Sequence, residues 1–204
     1  KFEDGNVAIN RTWSPTVGQW YHIAVTRSGN TWYLFVNGVQ LGATASNSTS
    51  FPDISATVRV GANQGSTAEY FVGYMADLRV VKSSVYTANF TPPTSPLTAI
   101  SNTQFLINYT NAGIPDSAMM NDGETISSCQ VSTAQSKFGT GSIYRGSTSQ
   151  TNDSGLYFPA ALPLNSGDFT IEGWIYRTVD TGDYEQFAVT TRNAGWAFAV
   201  SGST

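Results

Sequence analysis

Charge is what this sequence has least of: Asp, Glu, Lys and Arg make up 12% of its 204 residues, about half the share usual in a soluble domain. Fourteen acids outnumber ten bases, for a net charge of −4, and no Lys/Arg cluster occurs. That argues against nucleic-acid binding, which requires a basic footprint. A single cysteine, Cys129, rules out an internal disulfide framework and a thiolate zinc site. A single histidine, His22, would have to meet Cys129 in one place to build a nucleophilic triad, and Cys129 sits in a Ser/Gln-rich stretch without local support. It lies between Tyr21 and Ile23 in a strand-like run and reads as a sheet residue. No apolar run is long enough for a membrane-spanning helix, and no signal-peptide or lipidation pattern is present. Gly139-Thr140-Gly141 and Gly61-Ala62-Asn63-Gln64-Gly65 lack the following helix that a phosphate loop needs. The chain opens directly in strand-like sequence, as an internal or processed segment would.

Apolar and aromatic residues, in contrast, are ample. At 40% hydrophobic and 13% aromatic, the chain can supply a core and does not read as disordered. With so much Ser, Thr, Asn and Gly, the expected surface is polar but uncharged, as in many extracellular β proteins. Helical periodicity is absent; short runs with period-two alternation are punctuated by Gly, Asn, Asp and Pro. Trp20 to Arg27 places Tyr21, Ile23 and Val25 on one face. Trp32 to Val36 is followed by Asn37-Gly38 and then Val39-Gln40-Leu41, a hairpin signal because a type I′ turn needs positive φ at both central residues. Further strands are predicted over Val58 to Gly61 and Phe71 to Val81. In the latter, Val72, Tyr74, Ala76, Leu78 and Val80 share one face and Met75, Asp77 and Arg79 the other. The prolines of Thr91 to Pro96 stop pairing and read as a connector between two sequence halves. Beyond them, strands are predicted over Gln104 to Tyr109, Ser142 to Arg145, Leu156 to Phe158, Phe169 to Arg177, Gln186 to Thr190 and Trp196 to Val200. Many short strands with turns between them indicate an all-β, two-sheet antiparallel jelly-roll sandwich.

Several segments together resemble the concanavalin A-like lectin/glucanase superfamily, in its laminin G-like or pentraxin-like jelly-roll branch. The late half of such a domain resembles Gly18 to Arg27, the hairpin Leu34 to Gly38, the strand Phe71 to Val80 and the closing Tyr86-Thr87-Ala88-Asn89-Phe90-Thr91-Pro92-Pro93. The early half resembles Phe105 to Asn108, Ala134 to Gly139 before Ser142-Ile143-Tyr144, and Gly167 to Ile175. The order is swapped: the late half lies in 1–97 and the early half in about 103–204, with the Pro-rich connector 91–102 between them. Two organisations are open, one permuted sandwich over 1–204 or two half-repeats of a tandem array. Because open half-sandwiches would expose apolar faces and bare edges, the single sandwich is the expectation.

The glucanases of this superfamily carry a Glu-x-Asp-x-x-Glu strand, and a retaining glycosidase needs two carboxyls close together. That pattern is missing here. The acid pairs Asp122/Glu124 and Asp183/Glu185 stand in turn-like sequence and read as solvated loop acids. The resemblance implies calcium where first and last strands meet, which would fall on Asp77, Asn108 and Asp116. The plainer reading is that Asp77 pairs with Arg79. Sugar recognition needs aromatic platforms with polar edges. The candidates near loops and strand ends are Trp13, Trp32, Tyr70, Tyr184 and Trp196, whereas Trp20 and Trp174 read as core. Asn10, Asn47, Asn89, Asn108 and Asn152 head N-x-Ser/Thr sequons, a number near chance in so Asn/Ser/Thr-rich a chain.

The expected function is a non-catalytic structural or adhesion module of a large extracellular or virion-surface protein such as a phage fibre, spike or capsid-decorating protein. Its partners would be other subunits, including copies of itself. The alternative is a lectin-type domain binding glycans, with or without Ca2+, and the remote one a glycoside hydrolase. The phage association comes from the resemblance of the closing Tyr86 to Pro93 segment.

Overall fold

The computed structural model describes residues 1–3, 7–51, 57–62, 70–109, 124–126, 129–146, 155–158, 162, 164–181, 184–190 and 195–201. Among these every regular element is a strand: β1 Phe2–Glu3, β2 Val7–Ile9, β3 Trp20–Ser28, β4 Thr31–Val36, β5 Val39–Gln40, β6 Ala45–Ser46, β7 Val58–Val60 and β8 Gly73–Val81. They continue as β9 Thr103–Ile107, β10 Glu124–Ile126, β11 Cys129–Ser132, β12 Ser142–Arg145, β13 Gly155–Phe158, β14 Phe169–Arg177, β15 Tyr184–Val189 and β16 Ala197–Ser201. Two antiparallel sheets result. The short sheet runs β10-β13-β7-β15-β16-β1-β2; the long sheet runs β11-β12-β8-β14-β3-β4-β5, with β9 beside β8 and β6 beside β4. Strands from both ends of the sequence alternate in each: β14 lies between β8 and β3, and β1 pairs with β16.

The Asn37-Gly38 hairpin forms as its dipeptide demands, with φ of +49° and +76° and Val36 opposite Val39. The long runs Trp20 to Arg27 and Phe169 to Arg177 become the central pair β3–β14. The expected facing of β8 is overturned by a bulge. Glu172 pairs with Arg79 and Trp174 with Ala76, so Asp77 and Leu78 together oppose Gly173. Asp77 takes up the surplus residue in the left-handed region, φ +51°, which Asp tolerates better than most residues. Alternation therefore changes phase. Met75 points inward ahead of the bulge, Leu78 and Val80 inward after it, and all three join the core. Gly173 is obligatory at this crossing, because a Cβ there would stand 2.6 Å from Phe187 Cζ and 2.8 Å from the Asp77 carbonyl oxygen.

Between the sheets lies an aromatic cluster. The Phe2 ring is 5.1 Å from Phe51, 5.3 Å from Phe169, 5.6 Å from Trp32 and 6.0 Å from Trp196. Burial of such rings contributes on the order of 2–3 kcal/mol each. At one end of the cluster Arg27 is buried over the Trp32 ring and donates to the Gly29 and Thr49 carbonyls. Arg177 on β14 meets Glu185 on β15 at 2.7 Å, an ion pair between the sheets with both side chains buried. Glu185 is thus a buried strand residue and not a solvated loop acid. Its cross-strand partner Val200 belongs to the core cluster, so Glu185 faces an interior that only a cation makes tolerable. Asp122 and Asp183 lie outside the described residues.

The second layer of polar structure is on the outer face of the long sheet. After β8 the chain does not leave the sheet but crosses back over it, and residues 82–98 form a strap rather than a passive connector. Val85 N donates to Thr170 Oγ1, which itself donates to Ser83 O. Phe90 N donates to Gly38 O at 2.9 Å, and Leu97 N donates to Asp77 Oδ2. Tyr86 and Phe90 lie face to face, ring centroids 3.6 Å apart, over Phe35 and His22.

Candidate functional site

Cross-strand register divides the outer face of the long sheet into rows, because residues directly opposite on paired antiparallel strands share a face. On β14 the outward residues are Thr170, Glu172, Trp174 and Tyr176; on β3 their partners are Thr26, Ala24, His22 and Trp20. The first three rows lie beneath the strap. Trp20 and Tyr176 do not.

Under the strap, Glu172 is fully buried and both its oxygens are engaged. Oε1 accepts from Arg79 Nε at 2.9 Å and from Arg79 Nη2. Oε2 accepts from Tyr86 Oη at 2.9 Å and meets His22 Nε2 at 3.1 Å. Burial is the largest influence on this carboxyl and opposes its ionisation. The His22 hydrogen bond and the Arg79 charge together outweigh it, and hold Glu172 below the usual carboxylate range. Burial beside the same carboxylate pushes the Tyr86 phenol well above its ordinary value. Arg79 also donates to Thr98 O at 2.7 Å, tying the far end of the strap. His22 is accordingly a sheet residue with a structural partner. The expected Asp77–Arg79 pairing gives way to Arg79–Glu172, since the bulge puts a half-turn of chain between the two β8 side chains.

Asp77 serves the strap. Its Oδ1 accepts from Asn108 Nδ2 at 2.8 Å, and Asn108 Nδ2 also donates to Leu97 O at 3.1 Å. Burial raises the Asp77 carboxyl, and the Asn108 and Leu97 hydrogen bonds partly counter it. The sequence thus brings two of its three calcium candidates together, while Asp116 lies outside the described residues. Calcium takes six to eight oxygen ligands. Here one carboxylate faces an amide nitrogen, and no group of three His, Cys, Asp or Glu occurs among the described residues. By themselves Asp77 and Asn108 supply fewer oxygen donors than the ion takes.

Beyond the strap, Lys137 stands 4.0 Å over the Trp174 ring and Phe138 packs edge-on against it, closing the last covered row. The next row is aromatic across four adjacent strands. Trp20 pairs with Tyr176, Tyr176 with Tyr74, and Tyr74 with Tyr144, in register on β3, β14, β8 and β12. All four rings are half-buried. Successive centroids are 5.5, 5.7 and 4.5 Å apart. Exposed Gln130, opposite Tyr144 on β11, continues the row, and exposed Gln19 flanks Trp20. Burial, then the neighbouring Tyr144 and Tyr176 phenols, raise the Tyr74 hydroxyl; a hydrogen bond with Ser132 partly offsets them. The row contains no formal charge.

The five aromatic candidates named from sequence do not assemble into this row. Trp32 is 0% and Trp196 2% exposed. Their indole nitrogens donate inward, to Asn47 O and Leu162 O. Both belong to the core cluster, where no sugar could stack on them. Tyr70 carries the buried Arg145 guanidinium 4.3 Å above its ring. Trp13 is half-buried and edge-on to Tyr21. Tyr184 begins β15, and its side chain lies outside the described set. Trp20, read as core, is instead the end of the outer row, while Trp174 is buried as expected. Cys129 is buried, and burial pushes its thiol up to about 12, which leaves it unreactive.

Residues 2–89, a little under half of the chain, match a laminin G family model described as the concanavalin A-like lectin/glucanases superfamily. Through that stretch the chain is similar to that superfamily. No curated protein and no solved structure matches it.

Proposed function

We propose that the chain is a non-catalytic carbohydrate-binding module whose ligand lies on the row Trp20–Tyr176–Tyr74–Tyr144. The row itself carries the reading: four rings aligned across four strands, half-buried and uncharged, on the stretch of sheet face that the strap leaves bare. Aromatic faces and phenol hydroxyls suit a ligand with apolar ring faces and many hydroxyls. The similarity of residues 2–89 to a lectin/glucanase superfamily agrees with this. The absence of catalysis is supported by β14, where the outward neighbours of Glu172 are Thr170 and Trp174, so this strand face offers no second carboxylate for a glycosidase.

A second reading, a structural or adhesion module of an extracellular or virion-surface assembly, is favoured by the strap, which ties residues 82–98 to one side of the sandwich. The two readings are compatible in one protein. The test is a glycan array followed by the double variant Trp20→Ala/Tyr176→Ala. Binding that the variant abolishes supports the module. An array without signal, or binding indifferent to the variant, overturns it.

A further inference from the structure

The row specifies what kind of glycan it takes, an inference that rests on the carbohydrate-binding reading. We infer that the ligand is a neutral, unbranched, extended glycan gripped along an internal stretch, its axis across the strands. Trp20 would be the stacking anchor, and the three tyrosines would act through their hydroxyls.

The direction follows from register. Adjacent strands lie roughly 4.8 Å apart, and the four rings keep to that spacing, with centroids 4.5–5.7 Å apart. The row therefore crosses the sheet from strand to strand, about as long as three sugars of an extended chain. A ligand running along the strands would leave it after one ring and meet Trp174 beneath Lys137 and Phe138.

The mode of grip follows from what stands at the two ends. Gly18 and Gln19 beside Trp20 are exposed, as is Gln130 beyond Tyr144. Among the described residues, neither end has a wall to sense a chain terminus. Internal segments would bind as well as ends, and affinity would rise with length only until the row is filled.

The division of labour follows from ring angles. Tyr74 and Tyr144 are stacked on one another, with an interplanar angle of 27°. Tyr176 meets Tyr74 at 79° and Trp20 at 56°. The tyrosines thus spend much of their ring surface on each other, and their hydroxyls, of which that of Tyr74 also bonds Ser132, are the groups suited to hydroxyl recognition. Trp20 has only one aromatic neighbour in the row and the larger face. Neutrality follows from composition: Trp, Tyr and Gln offer donors and acceptors but no charge. A uronic or sulfated chain would lose hydration and gain no counter-charge in return.

The experiment is isothermal titration of the intact chain with cello-oligosaccharides of two to six sugars, with laminari- and xylo-oligosaccharides in parallel and oligogalacturonates as the charged control. For whichever neutral series binds, affinity is expected to rise up to three or four sugars and then level. Coupling the reducing end to a bead should leave it unchanged. Trp20→Ala should weaken binding roughly tenfold or more, and Tyr74→Phe, Tyr144→Phe and Tyr176→Phe each about threefold, the worth of one hydrogen bond. Tighter binding to the charged chains, full affinity for a monosaccharide, loss on coupling the reducing end, or Tyr→Phe variants without effect would each overturn the inference. The carbohydrate-binding reading would survive all four. Only failure of every glycan to bind, or binding that Trp20→Ala/Tyr176→Ala leaves intact, would remove that reading, and the inference with it.

Discussion

The outer face of the long sheet has two parts built on the same strands, and they treat their side chains in opposite ways. In the strapped part, beside Ala24, Phe35 and Trp174, five outward residues are polar or charged and buried: His22, Thr26, Arg79, Thr170 and Glu172. In the bare part they are aromatic and half-exposed: Trp20, Tyr74, Tyr144 and Tyr176. This inverts the usual distribution of polar and apolar groups. Burying the polar set is tolerable only because each major group finds its partner within the strap or the adjacent strands, as an unpaired buried charge is costly. Leaving the aromatic set uncovered forgoes burial that a longer strap could have supplied. Polarity alone does not reveal which face of a strand is core and which is surface; what crosses over it decides.

The comparison is most severely tested at Glu172. Glu172→Ala would leave the buried Arg79 charge without its carboxylate, and buried His22 and half-buried Tyr86 without their shared partner; we expect a loss of about 3–5 kcal/mol in urea unfolding, and a loss under 1 kcal/mol would mean that the network does not hold the strap. Phe90→Ala removes the ring stacked on Tyr86 and facing His22. As the ring is only half-buried, the expected cost is about 2 kcal/mol, below the range for a core phenylalanine. Gly173→Ala should cost about 1–3 kcal/mol by overpacking at the bulge, visible as a lowered melting temperature. By contrast, Trp20→Ala/Tyr176→Ala should cost about 1 kcal/mol, the scale of a cross-strand pair, while abolishing glycan binding.

Acid should distinguish two carboxyls of the strapped part by sign. Glu172 is held below the ordinary range when folded, so its contribution is complete above the unfolded carboxyl value of about 4.3 and is lost as pH falls through the lower folded value. Asp77, raised by burial, holds its proton more tightly when folded, so it favours the fold as pH drops and opposes it above the folded value. Stability of Glu172→Gln should therefore fall less steeply in acid than that of the parent, and stability of Asp77→Asn more steeply. Denaturant titrations between pH 3 and 7 check both slopes.

Much of the fold was legible from alternation. The runs at 20–27, 32–36, 142–145 and 169–177 became strands within a residue or so, and Asn37-Gly38 turned as it must. The bulge was not legible. Residues 73–81 alternate cleanly on paper, and a single surplus residue becomes visible only when β14 is laid alongside. The short strands β10 and β11 were missed because Glu124–Ile126 and Cys129–Ser132 hold only one or two apolar residues each among polar neighbours. The aromatic row escaped for a different reason. Candidates were sought near loops, whereas the row exists only in the register of four strands remote in sequence. One signal was available: Trp20 shares parity with His22 and Thr26 and is out of phase with Tyr21, Ile23 and Val25, so it could not have faced the core with them.

The bulge also makes β8 unusual with respect to changes of length. A one-residue deletion inside a strand ordinarily reverses every side chain beyond it. At Asp77 the opposite holds, because the surplus residue is already there. Removing it would leave Tyr74 and Ala76 facing out and Leu78 and Val80 facing in, as they now stand. The lineage of this domain could shed that residue in one step without refolding the sheet. It would lose the acceptor for the Leu97 amide and the Asn108 side chain, and with it one end of the strap. How far the bare surface extends would then be open to evolution by a single codon.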